Sequence, residues 1–214
     1  MSRRPRPATP PAVAWAKAVV HAAAIAPAAW LGWQIYEVWR TGSDALGADP
    51  VAEIEHRTGL WALRLLLLTL AVTPLRQLTG KPVLLRCRRM LGLDAVFCAC
   101  LHLAAYLVLD RGGYWAQIFE EIAKRPYITV GFTAWLLLVP LAVTSTQGWM
   151  RRLGRRWGQL HRLVYLVAVL AILHFWWLVK SDVREPAVYA AIATLMLGWR
   201  AWRRFSARRT TAVR

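Results

Sequence analysis

Four histidines of this chain lie in segments that are otherwise almost entirely apolar. His161 and His174 both belong to GQLHRLVYLVAVLAILHFWWLV, residues 158–179, while His21 and His102 belong to two earlier apolar runs. An ionisable side chain is expensive in lipid, so each histidine needs an interaction that offsets its cost. For a single histidine, a hydrogen-bonded packing role is as good an explanation as a functional role. Several in three separate runs favour a metal, a haem iron or a proton path.

Helical rise allows the depths of these histidines to be compared. Counted from Arg89, His102 lies about 20 Å into its apolar run. Counted from Arg156, His161 lies roughly 8 Å into its run, and His174 lies about 20 Å deeper. His102 and His174 therefore have the more similar depths. We predict that they form the axial pair of a haem towards the outer half, with His161 near the cytoplasmic face.

The angular positions of the two histidines in one run leave the number of haems open. His161 and His174 are thirteen residues apart, which places them roughly 140° apart around a straight helix. They need not face one cavity unless the helix is distorted. Two separate bis-histidine haems would need four ligands, and His21 is the only spare histidine within a run. A second haem is therefore allowed but not required.

The composition indicates a membrane protein. The chain has 214 residues, of which 57% are hydrophobic, whereas a soluble domain is usually about 45–50% apolar. The apolar residues form long runs, and ~20 consecutive apolar residues cross a bilayer as a helix. We predict an all-α integral membrane protein, a six-transmembrane-helix bundle with spans over residues 12–36, 59–79, 91–109, 127–146, 157–179 and 187–203. No internal repeat is evident.

The positive charge indicates the orientation of the spans. The net charge of +17 is gathered in arginine clusters between apolar runs, which is typical of cytoplasmic loops and argues against nucleic acid as a partner. The clusters include Arg3, Arg4 and Arg6 before the first span, Arg86, Arg88 and Arg89 after the second, and Arg151 and Arg152 after the fourth. Most acids, Glu53 and Glu55 among them, fall in the opposite loops. We therefore predict that both termini are cytoplasmic.

Other kinds of chemistry have little support in the sequence. The run CACLH, residues 98–102, has the pattern C-x-C-x-H and not the C-x-x-C-H of haem attachment. There is no glycine-rich nucleotide loop, no serine–histidine–acid set and no pair of catalytic carboxylates, so we predict no catalytic residue. Arg64 lies within the second span and is expected to face a partner, a polar cavity or an acidic group of a cofactor.

Seven segments, in order along nearly the whole chain, resemble a known family. They are GADPVAEIEHRTG, TPLRQLTG, LLRCRRMLGL, LHLAAY, RPYITVG, TSTQGWMRRLGRRWGQLHRLVY and ILHFWWLVK, between residues 47 and 180. They look like the haem-binding membrane subunit of the bacterial periplasmic protein-methionine-sulfoxide reductase system, in the ferric-reductase-like transmembrane group. The resemblance predicts one domain over residues 1–214.

The resemblance implies a multi-pass electron-transfer subunit of the bacterial inner membrane, as distinct from a catalytic subunit. It implies haem b and FMN as cofactors and membrane quinol as the electron donor. It also implies a heterodimer with a periplasmic molybdopterin subunit that repairs oxidised methionine in proteins. The outer acids Glu53 and Glu55 would then contribute to the docking surface for that subunit.

The family's haem histidines fall on His102, His161 and His174, and their pairing stays open. Arg86, Arg88 and Arg89 are candidates for contacts with the FMN phosphate, because arginine suits phosphate. The alternative is that these arginines only set the topology.

Three other functions remain as alternatives. A transmembrane ferric reductase would use the same haem core, but it usually carries a nucleotide-binding flavin domain that is not evident in these residues. A transporter or proton channel with a histidine relay would bind no haem and would show pH-dependent flux. A scaffold protein would tolerate alanine at all three histidines.

Overall fold

The computed structural model describes residues 11–179 and 181–212, and this part of the chain is helical without strands. The helices are α1 (Pro11–Thr41), α2 (Pro50–Thr79), α3 (Val83–Ala105), α4 (Trp115–Lys124), α5 (Pro126–Val143), α6 (Gln147–Leu153), α7 (Arg155–Leu160), α8 (Leu163–Leu178) and α9 (Arg184–Ala212). A π-helical turn, Tyr106–Asp110, continues α3. The predicted all-α class is confirmed.

Five segments of the described chain are long and apolar enough to cross a membrane. They are Val13–Thr41, Pro50–Thr79, Val83–Asp110, Pro126–Val143 and Arg155–Leu178. They correspond to the first five predicted spans. The sixth, 187–203, lies inside α9 but is not among them. Charged residues stand at Arg184 and Glu185 and again at Arg200, and the apolar stretch between them is shorter than the ~20 residues that cross a bilayer.

The central helix of the bundle is α2. It packs most extensively on α3 and also contacts α1, α8 and α9, while α5 packs on α8. Leu65 and Leu70 of α2 are 1% and 0% exposed, and Val167 and Ala168 of α8 are equally well buried. Because lipid is as apolar as these side chains, close packing and interhelical hydrogen bonds hold such a bundle together. The packing brings α2, α3, α5 and α8 around one interior space.

The connection between α1 and α2 is shorter than predicted. The helix α1 continues to Thr41 and α2 begins at Pro50, because Asp49 caps α2 by accepting a hydrogen bond from the Ala52 amide at 3.0 Å. Aspartate is a favoured N-cap, and proline fits the first helical position. Residues Glu53 and Glu55, predicted in a loop, therefore lie in the first turns of α2.

The predicted span over 157–179 is interrupted at one of its histidines. Helix α7 ends at Leu160 and α8 begins at Leu163, with a turn at His161 and Arg162. The His161 amide donates to the Trp157 carbonyl at 3.0 Å and closes α7. The estimate of 140° between His161 and His174 assumed a straight helix, so it does not apply here.

The cytoplasmic location of both termini stays a prediction, and the cluster Arg3, Arg4 and Arg6 lies outside the described residues. We expect a green fluorescent protein fused to the C-terminus to fluoresce and alkaline phosphatase fused there to be inactive. Five spans would place the termini on opposite sides, whereas six place them on the same side. A phosphatase fusion at Gly113, between α3 and α4, is the positive control. An active phosphatase at the C-terminus would contradict six spans.

Candidate functional site

A cavity of about 460 Å³ lies among α2, α3, α5 and α8. Its size falls within the ~300–1,000 Å³ of pockets that enclose small-molecule ligands. Most of its walls are apolar, and they include Leu63, Leu66, Leu138, Val167 and Phe175. The polar groups in the walls include two of the predicted histidines, His102 and His174. The cavity is therefore suited to a largely apolar ligand that binds to nitrogen.

His102 is held by backbone groups of the neighbouring helix α2. Its Nδ1 lies 2.9 Å from the carbonyl oxygen of Glu55. A carbonyl only accepts, so Nδ1 carries the hydrogen and Nε2 of the neutral ring keeps its lone pair. The ring lies against Gly59, where a Cβ atom would come within 3.0 Å of Nδ1. A glycine is therefore needed for the ring to lie this close to α2.

His174 is held in the same way by α5. Its Nδ1 lies 2.8 Å from the carbonyl oxygen of Tyr127, which leaves Nε2 as the free acceptor. The ring lies against Gly131, where a Cβ atom would come within 2.6 Å of Nδ1. In both cases the accepting carbonyl belongs to the residue four positions before the glycine. Each ring thus has a fixed tautomer and a fixed orientation.

The two rings stand close to each other across the cavity. Their centroids are 6.1 Å apart and their planes are inclined by 70°. When two imidazoles bind one metal ion from opposite sides, each contributes a metal–nitrogen bond of ~2 Å and about 1 Å from the nitrogen to the ring centre. The expected distance between the two ring centroids is therefore about 6 Å. The separation, the free Nε2 atoms and the apolar walls fit a haem iron between the rings. The structure brings together His102 and His174, the two histidines whose similar depths predicted a pair. That they bind a haem iron stays a prediction.

His161 lies apart from this pair and does not line the cavity. It stacks on Trp157, with ring centroids 3.9 Å apart, and its Nδ1 lies 3.1 Å from the Trp157 carbonyl oxygen. Its Nε2 is buried without a hydrogen-bond partner among the described residues. An unpaired buried acceptor of this kind fits a ligand nitrogen, but at a second place in the bundle.

Two charged residues of α2, Arg64 and Glu55, lie within a candidate membrane span. Arg64 donates from Nε to the Tyr189 hydroxyl at 2.8 Å and packs over the Trp61 ring at 5.5 Å. The expectation that Arg64 faces a partner is therefore confirmed. Glu55 lines the cavity, and its Oε1 is buried. Glu53 pairs with Arg57 at 2.6 Å, and a contribution of Glu53 and Glu55 to a docking surface stays a prediction.

The groups that hold the histidines were not predicted, although the sequence contains a signal for them. Each histidine lies 47 residues after the residue whose carbonyl it contacts. The helix pairs α2–α3 and α5–α8 thus repeat one local construction, an accepting carbonyl, a glycine one turn later and a histidine on the next packed helix. A search for equal spacings ending at the two histidines would have found it, whereas a search for similar sequence did not.

The fold and the cavity define a multi-span helical membrane protein that presents two oriented imidazoles to one interior site. Residues 58–172 match the family described as ferric reductase like transmembrane component. The protein-methionine-sulfoxide reductase heme-binding subunit MsrQ of Xanthomonas axonopodis pv. citri (strain 306) is 73% identical over 199 residues, which are 93% of this chain and 91% of that one. The chain belongs to this ferric-reductase-like transmembrane family, in the group of these subunits.

Other relatives carry the same description. The subunit of Xanthomonas campestris pv. campestris (strain 8004) is 74% identical over 92% of this chain and 90% of its own length. That of Bordetella pertussis is 48% identical over 80% of this chain and 85% of its own length. The resemblance seen in the sequence is thereby confirmed.

Proposed function

We propose that the chain is the haem-binding electron-transfer subunit of a bacterial inner-membrane system that repairs methionine sulfoxide. Electrons come from membrane quinol and go to a periplasmic molybdopterin catalytic subunit. The observation that carries the proposal is the pair His102 and His174, 6.1 Å apart in one apolar cavity. The printed descriptions of the relatives as heme-binding subunits support it.

In this proposal the chain's residues hold and tune haem b. His102 and His174 would hold the haem iron through their Nε2 atoms. Their Nδ1 hydrogen bonds to the carbonyls of Glu55 and Tyr127 keep the tautomer and ring direction and raise the basicity of the ligand nitrogen. A bound haem supplies one-electron chemistry between ferric and ferrous iron. The apolar walls exclude water and thereby influence the reduction potential.

His161 is proposed as a further axial ligand, because its Nε2 is buried and unpaired among the described residues. It would serve a second haem nearer the cytoplasmic face. The one spare histidine in a span, His21, lies on α1 and pairs with Asp94 at 3.0 Å. It does not line the cavity of His102 and His174. The ratio of haem to protein in the purified sample measures the number of haems.

FMN is proposed to bind at the cytoplasmic start of α3. Arg86, Arg88 and Arg89 lie in the first two turns of this helix, and not in a loop as predicted. The N-cap residue of α3 is Pro82, which provides no side-chain cap, so the first amides of the helix and its dipole favour an anion such as phosphate. This arrangement supports a phosphate contact in addition to a role in topology.

Replacing Arg88 and Arg89 together by glutamine should lower the flavin content of the purified protein. Each hydrogen bond to a charged group is worth about 1.5–3 kcal/mol, so we expect a loss of roughly tenfold or more in FMN affinity. Fluorescence of released flavin measures it. The matched control replaces Arg151 and Arg152 of α6 by glutamine. Equal flavin content in both double variants would assign the α3 arginines to topology alone.

The proposal is tested by a dithionite-reduced minus oxidised absorption spectrum of the detergent-purified protein from cells supplied with haem. We expect a b-type spectrum and a haem that organic solvent extracts. A featureless spectrum would contradict the proposal and favour the histidine-relay transporter. Electron delivery to the co-purified periplasmic subunit and to a ferric chelate should then be compared. Faster reduction of the chelate would favour the ferric reductase.

A further inference from the structure

A histidine–aspartate pair joins α1 and α3 on the outside of the bundle. His21 Nδ1 lies 3.0 Å from Asp94 Oδ1, and the two side chains are 50% and 6% exposed. Both residues lie within candidate membrane spans, so the exposed side of His21 faces lipid. A polar pair in this position is costly, and neither residue lines the histidine cavity.

The hydrogen-bonding pattern of the pair leaves two of its acceptor atoms unused. In the neutral ring, Nδ1 donates its hydrogen to the Asp94 carboxylate, and Nε2 is left as an acceptor on the lipid side. The second carboxylate oxygen, Oδ2, is buried and has no hydrogen-bond partner among the described residues. A buried carboxylate with an unused acceptor, joined to an imidazole that lipid-soluble molecules can reach, is suited to receive protons from a ligand in the membrane.

Along the seam between α1 and α3 lies a cavity of about 280 Å³ that has room for such a ligand. It is lined by Ala28 of α1, by Cys98 and Leu101 of α3 and by five residues of α2, among others, while His21 and Asp94 themselves do not line it. Ala28 follows His21 by seven residues, and Cys98 and Leu101 follow Asp94 by four and seven. These spacings keep them on the helix faces of the pair, at most about 10 Å further along the seam.

This cavity adjoins the cavity of the paired histidines. Leu60 of α2 lines both cavities, and Cys98 stands one helical turn before His102 on α3. A redox ring in this cavity would therefore be separated from the proposed haem by little more than one layer of side chains.

We propose that the α1–α3 seam binds the head group of membrane quinol, with His21 as the proton acceptor and Asp94 as its partner. The inference rests on the proposed function, which makes quinol the electron donor. The hydroquinone hydroxyl donates a hydrogen bond to His21 Nε2, and the apolar tail remains in lipid.

The oxidation of the hydroquinone balances in protons and electrons when ferric iron is the electron acceptor. The hydroquinone loses two protons and two electrons and becomes the quinone. The two protons go to the neutral imidazole of His21 and the carboxylate of Asp94, from which they leave before the next turnover. The two electrons would leave one at a time, with ferric haem iron held by the chain's histidines as the one-electron acceptor. No other oxidant is required.

The test is stopped-flow reduction of the purified, haem-loaded protein by a short-chain ubiquinol analogue, compared with reduction by dithionite. We expect His21→Gln and Asp94→Asn to slow reduction by quinol roughly tenfold or more, since positioned acid–base groups contribute at least that much. The haem content and the dithionite-reduced spectrum should stay as in the wild type. Val19→Ala, a change at a lipid-facing residue of α1 that is 64% exposed, is the control and should not alter the rate.

A second readout does not depend on turnover. A photoreactive azidoquinone should label wild-type peptides of α1 and α3, and excess unlabelled quinone should prevent the labelling. His21→Gln should still be labelled, because glutamine can hold the ring by a hydrogen bond but cannot take its proton. Absence of competed labelling in both helices would overturn the site, even if a variant failed to load haem.

The outcomes separate the two proposals. Wild-type reduction by quinol with variant rates within about twofold would overturn the His21–Asp94 site and leave quinol as the donor. Wild-type protein that dithionite reduces but quinol does not would remove quinol from the proposed function and the site with it. A reduction by quinol that is slowed in both variants, with unchanged haem, would establish the site.

Discussion

Replacing His102 or His174 by alanine will remove most of the haem from the purified protein. Each variant deletes one of the two imidazole rings that line the cavity with centroids 6.1 Å apart. Loss of an outer-shell partner alone costs roughly 10–100-fold in metal affinity, so loss of a ligand should cost at least as much. The haem-to-protein ratio and the reduced-minus-oxidised spectrum measure the effect in the monodisperse fraction.

Two comparisons make this prediction specific. His56→Ala changes a third histidine that lines the cavity but pairs with Glu185 at 3.6 Å, and it should keep most of the haem. Imidazole added during expression should partly restore the pigment in the His102 and His174 alanine variants, since it can enter the space that the side chain leaves. Wild-type haem content in either alanine variant would show that the paired histidines do not hold the iron.

Replacing Gly131 by alanine will disturb the same site from the opposite side. The new Cβ would stand 2.6 Å from His174 Nδ1 and 2.8 Å from Cε1, so the ring has to move away and its hydrogen bond to the Tyr127 carbonyl is strained. Overpacking of this kind costs about 1–3 kcal/mol, and a hydrogen bond adds about 1 kcal/mol. We expect a lower melting temperature, a shifted haem spectrum and reduced haem content.

Other glycines provide graded controls for this steric argument. Gly59→Ala places its Cβ 3.0 Å from His102 Nδ1 and should have a smaller effect of the same kind. Gly32→Ala meets no heavy atom within 4 Å, and alanine in a helix is favoured over glycine by about 1 kcal/mol. Its stability should be equal or higher. A Gly131 variant with an unchanged spectrum and melting temperature would mean that His174 does not lie against α5.

The two proposed functions, haem binding and quinol oxidation, are located on two different faces of α3. His102 points from α3 into the cavity shared with α8, while Asp94 contacts α1 on the outside. Variants of the first face should change the pigment, and variants of the second should change only how quickly quinol reduces it. This division allows cofactor binding and electron entry to be measured separately.

Several features of the protein follow from the sequence by itself. Long apolar runs have to form helices, because lipid cannot satisfy exposed backbone groups, and the first five spans were found on this basis. Rise along a helix depends only on residue count, so the depths of His102 and His174 could be compared. Seven motifs in order along the chain, among them those around His102, His161 and His174, were sufficient to identify the family.

Only the tertiary structure shows which helix faces contact one another. Rotation accumulates at ~100° per residue, so the break at His161 and the π-helical turn Tyr106–Asp110 make the direction of a distant side chain unpredictable from spacing. The carbonyls of Glu55 and Tyr127 become partners of the histidines only through packing of α2 on α3 and of α5 on α8. Depth along a span is a local quantity that the sequence determines, whereas a shared cavity is a contact between helices distant in sequence.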